Sequence, residues 1–129
     1  MGEDKRAFRV LAVDDDYGTR LLLADVLTCA SCHVLTASDG AEAVEILEEQ
    51  PVDLLVTDHD MPRMNGLDLI RWSKARFPHV TAVMITGQDS QALAAQGREC
   101  GALCVLLKPL SVERLLSLVH EIRSTAPIL

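Results

Sequence analysis

The sequence predicts an α/β fold, a doubly wound parallel sheet of five strands with helices on both faces. Three observations predict it. Apolar, β-branched runs of strand length alternate five times with stretches carrying helical spacing, and strict alternation of that kind builds a parallel sheet. The run Leu54-Leu-Val-Thr enters Asp58 without a charged interruption and meets a loop signal, Pro62 and Gly66, at once, as a buried strand ending in a carboxylate does. A chain of 129 residues has no room for eight βα units, which excludes a barrel and leaves an open sheet. Ligands bind such sheets at the carboxyl edge of the strands.

Phe8 to Val13 is the first strand, ending in Asp14-Asp15-Asp16. Thr19 to Ser31 then carries helical spacing through Leu22, Leu23, Val26, Leu27 and Ala30, with Asp16 as the expected helix cap. His33 to Ala37 is the second strand. Asp39-Gly-Ala-Glu42 has the spacing of a capping box ahead of Val44 and Leu47. Val52 to Asp58 is the third strand, and Gly66 to Arg76 the helix after it, with Leu67, Ile70 and Lys74 sharing a face, Trp72 to one side, and Phe77-Pro78 as the stop. Val80 to Ile85 is the fourth strand, ending at Thr86-Gly87. Ser90 to Cys100 is a helix that Gly97 weakens by ~1 kcal/mol relative to Ala, with Gly101 as its C-terminal stop. It is the helix expected to be least stable. Leu103 to Leu107 is the fifth strand, ending in Lys108-Pro109. The last helix starts from Ser111 as cap, with Leu110 and Leu115 at staple spacing and Val112, Leu115, Val119 and Ile122 on one stripe.

Composition narrows the function classes. A chain of this length forms one domain and buries about 70% of its unfolded surface. No apolar run approaches the roughly 20 residues of a membrane span, and Met1-Gly-Glu-Asp-Lys-Arg lacks the apolar core of a signal peptide, so the cytoplasm is the expected compartment. A net charge of -7 without a Lys/Arg run excludes a nucleic-acid surface, which needs cations to replace phosphate counterions. Cys29-Ala-Ser-Cys32-His33 matches the short haem-attachment pattern, but it lies where a helix hands over to a buried strand, without an export signal. A zinc site pooling Cys29 and Cys32 with Cys100 and Cys104 meets the same objection, and free, mostly buried thiols are expected. His59, His79 and His120 show no ligand spacing and are expected in solvent; Trp72 is expected to serve packing or an interface.

The chemistry stands at the strand tips. Asp14 and Asp15 end strand one, Asp58 strand three, Thr86 strand four and Lys108 strand five, so a parallel sheet gathers them on one edge; strand two contributes nothing. Carboxylates about 4 Å apart repel by about 4 kcal/mol per pair at an effective dielectric near 20, so protons or a cation must relieve them. A hard divalent ion such as magnesium, taking carboxylates, a carbonyl and waters, is suited to that task. With a lysine and a hydroxyl aimed at the same spot, the edge looks prepared for an incoming anion, and phosphoryl transfer runs on this kind of positioning and charge neutralisation. An aspartate can itself be the nucleophile. Each residue alone has a plainer reading, a turn former, a cap or a surface lysine; the weight lies in the set.

That set, Asp14-Asp15, Asp58-x-x-Met61-Pro62-x-x-x-Gly66, Thr86-Gly87 and Lys108-Pro109, resembles the receiver domain of two-component response regulators from about Phe8 to Arg123. The resemblance implies the flavodoxin-like (βα)5 fold with strand order 2-1-3-4-5 and a single domain over 1–129. It implies that Asp58 is phosphorylated from the phosphohistidine of a histidine kinase or phosphotransfer protein. It also implies that Asp15, Asp58 and the backbone carbonyl of Asp60 ligate Mg2+, with Asp14 acting mostly through water. Thr86 and Lys108 would engage phosphoryl oxygens, Lys108-Pro109 would be cis, and phosphorylation would shift the surface of helix four, strand five and helix five toward an unidentified effector. Such a domain is no ordinary enzyme, since it catalyses only its own phosphorylation and dephosphorylation. Dimerisation on phosphorylation is one outcome it allows.

One position departs from the pattern: where receivers usually carry an aromatic switch residue, this chain has Val105. Asp60 and Gln88 stand where family members tune dephosphorylation, and Gln88 is expected to help place the attacking water. Three rival readings share parts of the pattern. A haloacid-dehalogenase-like phosphatase also uses Asp-x-Asp after a strand, here Asp58-His-Asp60, but its second acidic pair follows the lysine. A flavin carrier shares the fold, but three aspartates after strand one would repel its phosphate. A receiver-like interaction module working without phosphate would bind no magnesium.

Overall fold

The computed structural model describes residues 7–125, so expectations resting on Met1 to Arg6 and on the chain after Thr125 lie outside the described residues. Five strands, β1 (Phe8–Val13), β2 (Cys32–Ala37), β3 (Leu54–Asp58), β4 (Thr81–Thr86) and β5 (Cys104–Leu107), form one sheet in the order β2-β1-β3-β4-β5. Every neighbouring pair is parallel. The helices α1 (Tyr17–Cys29), α2 (Gly40–Glu49), α3 (Gly66–Arg76), α4 (Gln91–Cys100) and α5 (Val112–Thr125) connect and follow them. None is long and apolar enough to cross a membrane.

The two-residue periodicity of a strand sorts the core into two layers. Leu11 and Val13 of β1 and Leu55 of β3 face α2, α3 and α4, where Ala43, Leu47, Leu69, Ile70 and Leu93 meet them. Val10, Ala12, Leu54 and Val56 join the layer of Leu23 and Leu27 from α1 and Leu115, Leu118, Val119 and Ile122 from α5. β3, central in the sheet, is buried along its whole length, which is why its sequence reads as a run rather than an alternation.

Caps hold the helix starts, and several differ from expectation. Asp16 accepts from the Thr19 backbone N–H at 2.9 Å as the sequence predicts, but the helix it caps begins at Tyr17 and leaves Leu22 exposed. Asp39 accepts from Glu42 N, whereas Glu42 accepts from the backbone N–H of Ser38, one residue beyond the Asp39 N–H that the expected reciprocal box would use. The reciprocal box lies on α3, between Asn65 and Asp68. Of the face shared by Leu67, Ile70 and Lys74, Ile70 is buried together with Gly66, Leu69 and Ser73, while the Lys74 ammonium donates to the carbonyls of Pro78 and Val80. On α5 Ser111 caps through Arg114 N, but Val112 is exposed and Leu118 takes its place in the stripe. The thiols are less buried than expected: Cys32 is buried, Cys100 and Cys104 are half-buried and Cys29 is exposed. Trp72 packs edge-on to Phe77 at 5.9 Å, as a packing residue does.

Candidate functional site at the carboxyl edge of the sheet

Backbone hydrogen bonds carry the ladder past the strand ends and so fix the tips. Asp14 N donates to Ala37 O, His59 N to Ile85 O at 2.8 Å, and Lys108 N to Thr86 O at 2.8 Å. The last of these seats Lys108 beside Thr86. Arg20 from α1 donates to the Asp14 carbonyl at 2.8 Å and closes the β1 tip from the other side. Lys108-Pro109 is cis, as the resemblance implies.

The expected convergence is present. One carboxylate oxygen from each of Asp14, Asp15 and Asp58 lies within 4.8 Å of the others, and among the described residues this is the only cluster of three or more acidic, His or Cys side chains so arranged. No cysteine joins such a cluster, which disposes of the zinc alternative for Cys29, Cys32, Cys100 and Cys104. Asp14 and Asp58 are buried at 1% and 2% exposure, while Asp15 is exposed. Lys108 Nζ stands 2.9 Å from Asp58 Oδ1 and 3.7 Å from Asp14 Oδ2. Thr86 is buried on the neighbouring tip, its Oγ1 accepting from Gln88 N at 3.0 Å, which leaves the hydroxyl hydrogen free to donate elsewhere.

The electrostatics are those of an incomplete charge set. Burial pushes the Asp58 carboxyl above its ordinary value, repulsion from Asp14 and Asp60 adds to this, and Lys108 opposes it. Asp14 is raised too, again chiefly by burial, against a hydrogen bond from Asp16 N and the Lys108 charge. Burial alone would lower Lys108, but Asp58, Asp14 and Asp60 more than reverse it, so its ammonium is held above the ordinary range. Asp14 Oδ2 and Asp58 Oδ1 are both buried without a hydrogen-bond donor; the lysine contact is one of charge without an aligned hydrogen bond. Two orphaned hard oxygens beside a third carboxylate are the donor set magnesium prefers.

Further residues shape the site, and of these Gly40, Arg63 and Met64 were given no role there by the sequence. A Cβ on Gly40, at the start of α2, would fall 2.7 Å from Met64 Sδ, so the first residue of α2 provides a notch on which the β3–α3 loop rests. In that loop Arg63 is left-handed and stands 4.0 Å from Asp39. Gln88 Nε2 donates to Asp60 Oδ1 at 2.8 Å, joining the loops after β3 and β4 over the site. His59 is half-buried rather than solvated, with Nδ1 enclosed and unpartnered. Met64 and Gly40 lie far apart in sequence, and only a pattern linking a long apolar loop residue to a helix-start glycine could have suggested them.

A family model described as the response regulator receiver domain matches residues 10–120. The chain is 33% identical over 122 residues to a probable chemotaxis protein CheY of Rhizobium etli, covering 88% of this chain and 91% of that one. It is 35% identical over 120 residues to the response regulator MprA of Mycobacterium leprae, covering 92% of this chain but 53% of that protein, so it spans about half of MprA. The crystal structure of a response regulator receiver domain protein from Clostridium thermocellum superimposes with a TM-score of 0.85 at 27% identity, over 91% of this chain and 94% of that one. These findings favour neither the phosphatase nor the flavin-carrier alternative. With the strand order, the acidic cluster and the lysine at their places on the sheet edge, the chain belongs to the response regulator receiver domain family of two-component signalling.

Proposed function

We propose that Asp58 accepts a phosphoryl group from the phosphohistidine of a histidine kinase or phosphotransfer protein, and that this changes the α4, β5 and α5 surface read by a downstream partner. The observation that carries the reading is the approach of Lys108 Nζ to 2.9 Å from the buried Asp58 Oδ1 within the cluster of Asp14, Asp15 and Asp58. A lone structural aspartate does not need both a cation and two neighbouring acids. In the transfer, an Asp58 oxygen forms a bond to phosphorus as the bond from phosphorus to the donor nitrogen breaks, and the imidazole keeps the electron pair. Lys108 is close enough to follow the charge as it moves from carboxylate to phosphoryl oxygens, and the free hydroxyl hydrogen of Thr86 can donate to one of them. Asp14, Asp15, Asp58 and the backbone carbonyl of Asp60 would hold Mg2+, which when bound neutralises charge on the transferring group.

The net charge of -7 and a sequence without a Lys/Arg run support a protein rather than a nucleic acid as direct partner. Incubation with a small phosphodonor and Mg2+ adds one phosphoryl group by intact mass, and Asp58→Asn abolishes the gain; an unaltered gain in Asp58→Asn refutes the assignment.

Gln88 bears on the lifetime of that phosphoryl group. Its amide, tied to Asp60 at 2.8 Å, bridges the loops that follow the Asp58 and Thr86 tips, within the group of residues a water attacking the phosphoryl group would meet. We expect Gln88→Ala to lengthen the lifetime on the order of tenfold, since misplacing an attacking water costs about that much or more. An unchanged lifetime rules the role out.

A further inference from the structure

We propose that Arg20 is a positioning residue for the metal site: by holding the Asp14 carbonyl it fixes the peptide before Asp15, and so keeps in the cluster a carboxylate that has no contact of its own. The inference rests on the reading of Asp14, Asp15 and Asp58 as the Mg2+ site of a phosphoacceptor and adds which residue outside the acids builds that site.

Asp15 is the loosest member of the cluster. It is exposed where Asp14 and Asp58 are buried, and among the described residues no hydrogen bond or salt bridge reaches its carboxylate. One of its oxygens nonetheless lies within 4.8 Å of the other two acids, so the backbone must hold it there. A peptide unit is planar, and anchoring the unit on each side of a residue restricts both of that residue's free dihedrals. The unit before Asp15 carries the Asp14 carbonyl, to which Arg20 Nη1 donates at 2.8 Å. The unit after it carries the Asp16 N–H, which donates to Asp14 Oδ1 at 2.8 Å. That second bond closes within the acidic turn itself. The first reaches in from α1 and ties the turn to a helix.

Arg20 is itself held in place. Its backbone N–H donates to the Asp16 carbonyl at 3.0 Å, and its guanidinium carbon stands 5.5 Å from the centre of the Tyr17 ring. Tyr17 is 66% exposed, so its ring covers the arginine rather than filling the core.

A cation beside acids can also act through its charge, and the two roles have opposite signs. Lys108 is the cation that opposes the rise of the Asp14 and Asp58 carboxyls, whereas Arg20 directs its hydrogen bond at a backbone oxygen. Removing a charge that acted only through space leaves the cluster more negative and tightens binding of a divalent ion. Removing a group that positions Asp15 weakens it.

The test is calorimetric Mg2+ binding to the whole chain without phosphodonor, beside phosphorylation by a small phosphodonor across Mg2+ concentrations. Arg20→Met keeps a long stem without a donor and should weaken Mg2+ binding about tenfold, the scale on which loss of a group that orients a metal ligand is felt. The half-saturating Mg2+ for phosphorylation should rise by a similar factor, a larger change than any in the maximal rate, since Asp15 is drawn into place once the ion is bound. Arg20→Lys, which keeps the charge and a donor but not the planar fork, should fall between wild type and Arg20→Met. Tyr17→Ala leaves the guanidinium and removes the ring beside it; it should weaken Mg2+ binding in the same direction, and serves if Arg20→Met does not fold. Unchanged or tighter Mg2+ binding in Arg20→Met overturns the proposal, as does a fall in maximal rate at unchanged half-saturating Mg2+. Wild type that takes up a phosphoryl group but binds no Mg2+ overturns it and leaves Asp58 as acceptor. Wild type that binds Mg2+ through Arg20 but takes up no phosphoryl group supports it and overturns the phosphoacceptor reading.

Discussion

Lys108→Ala lowers the stability of the metal-free protein at neutral pH by about 2–3 kcal/mol, on the order of 10 °C in Tm, and both acid and Mg2+ restore most of the loss. Removing one partner of a fully buried ion pair costs about 3–5 kcal/mol; the figure is discounted here because the Lys108 side chain is 33% exposed and partly screened. The sign of the pH dependence follows from the carboxyls left behind. Asp58 and Asp14 already lie above the ordinary 3.8 in the folded protein, chiefly through burial, and Lys108 is a counterweight to both. Without it they rise further. A carboxyl whose folded value exceeds its unfolded one favours folding fully below the unfolded value and loses that contribution as pH climbs through the folded value. The deficit of Lys108→Ala is therefore small in acid, where both groups are protonated, and grows toward neutrality. Bound Mg2+ supplies the missing positive charge and closes the gap. Thermal melts of both proteins across pH, with and without Mg2+, decide it: a deficit independent of both means that Lys108 acts through packing instead.

The same set of charges was the most legible part of the molecule in the sequence, for a physical reason. In a parallel sheet every strand delivers its C-terminal residue to one edge, so a polar residue directly after an apolar run has its place settled by topology alone. Asp14, Asp58, Thr86 and Lys108 needed no knowledge of packing. Residues placed by packing were harder to read. Leu22 and Val112 fit the apolar stripes of α1 and α5 by spacing, yet both are exposed, because spacing places a residue on a helix without saying where the covered sector ends. Leu67, Ile70 and Lys74 share a face by spacing, yet the buried residues of α3 are Gly66, Leu69, Ile70 and Ser73; the long stem of Lys74 reaches to two carbonyls beyond the helix, a contact with no periodicity at all. Glu42 satisfied a different N–H from the one a capping box predicts, since one residue of slack in the loop before a helix leaves its spacing unchanged. Gly40 and Gly97 read as a helix-start residue and a helix weakness. Their purpose, room for Met64 and Val105, belongs to the partner side chain and cannot be found in the local sequence.

Gly66→Ala should be the most damaging small substitution in the chain for phosphorylation, with a loss on the order of 100-fold in rate if Asp58 is the acceptor, against a stability loss of only about 1–3 kcal/mol. A Cβ at position 66 would stand 2.6 Å from the Asp58 carbonyl oxygen and 2.9 Å from His59 Cα. Both are backbone atoms, so no side chain can rotate away, and relief requires either the start of α3 or the end of β3 to move. The start of α3 is held by the Asn65–Asp68 capping box and by the Gly66 N–H donating to His59 O at 3.0 Å, which ties the new methyl to the segment it must push. The displacement therefore passes into the Asp58 tip, where a shift approaching 1 Å separates the nucleophile from Lys108 and from the acids that share its cluster. Gly18→Ala provides the contrast, because a Cβ there meets nothing nearer than Asp16 Oδ2 at 3.6 Å and the substitution favours the helix. That variant should gain stability and phosphorylate at the wild-type rate. Comparable rates for Gly66→Ala and wild type, measured where both are folded, would mean that Asp58 tolerates displacement and that its geometry is not what sets the chemistry.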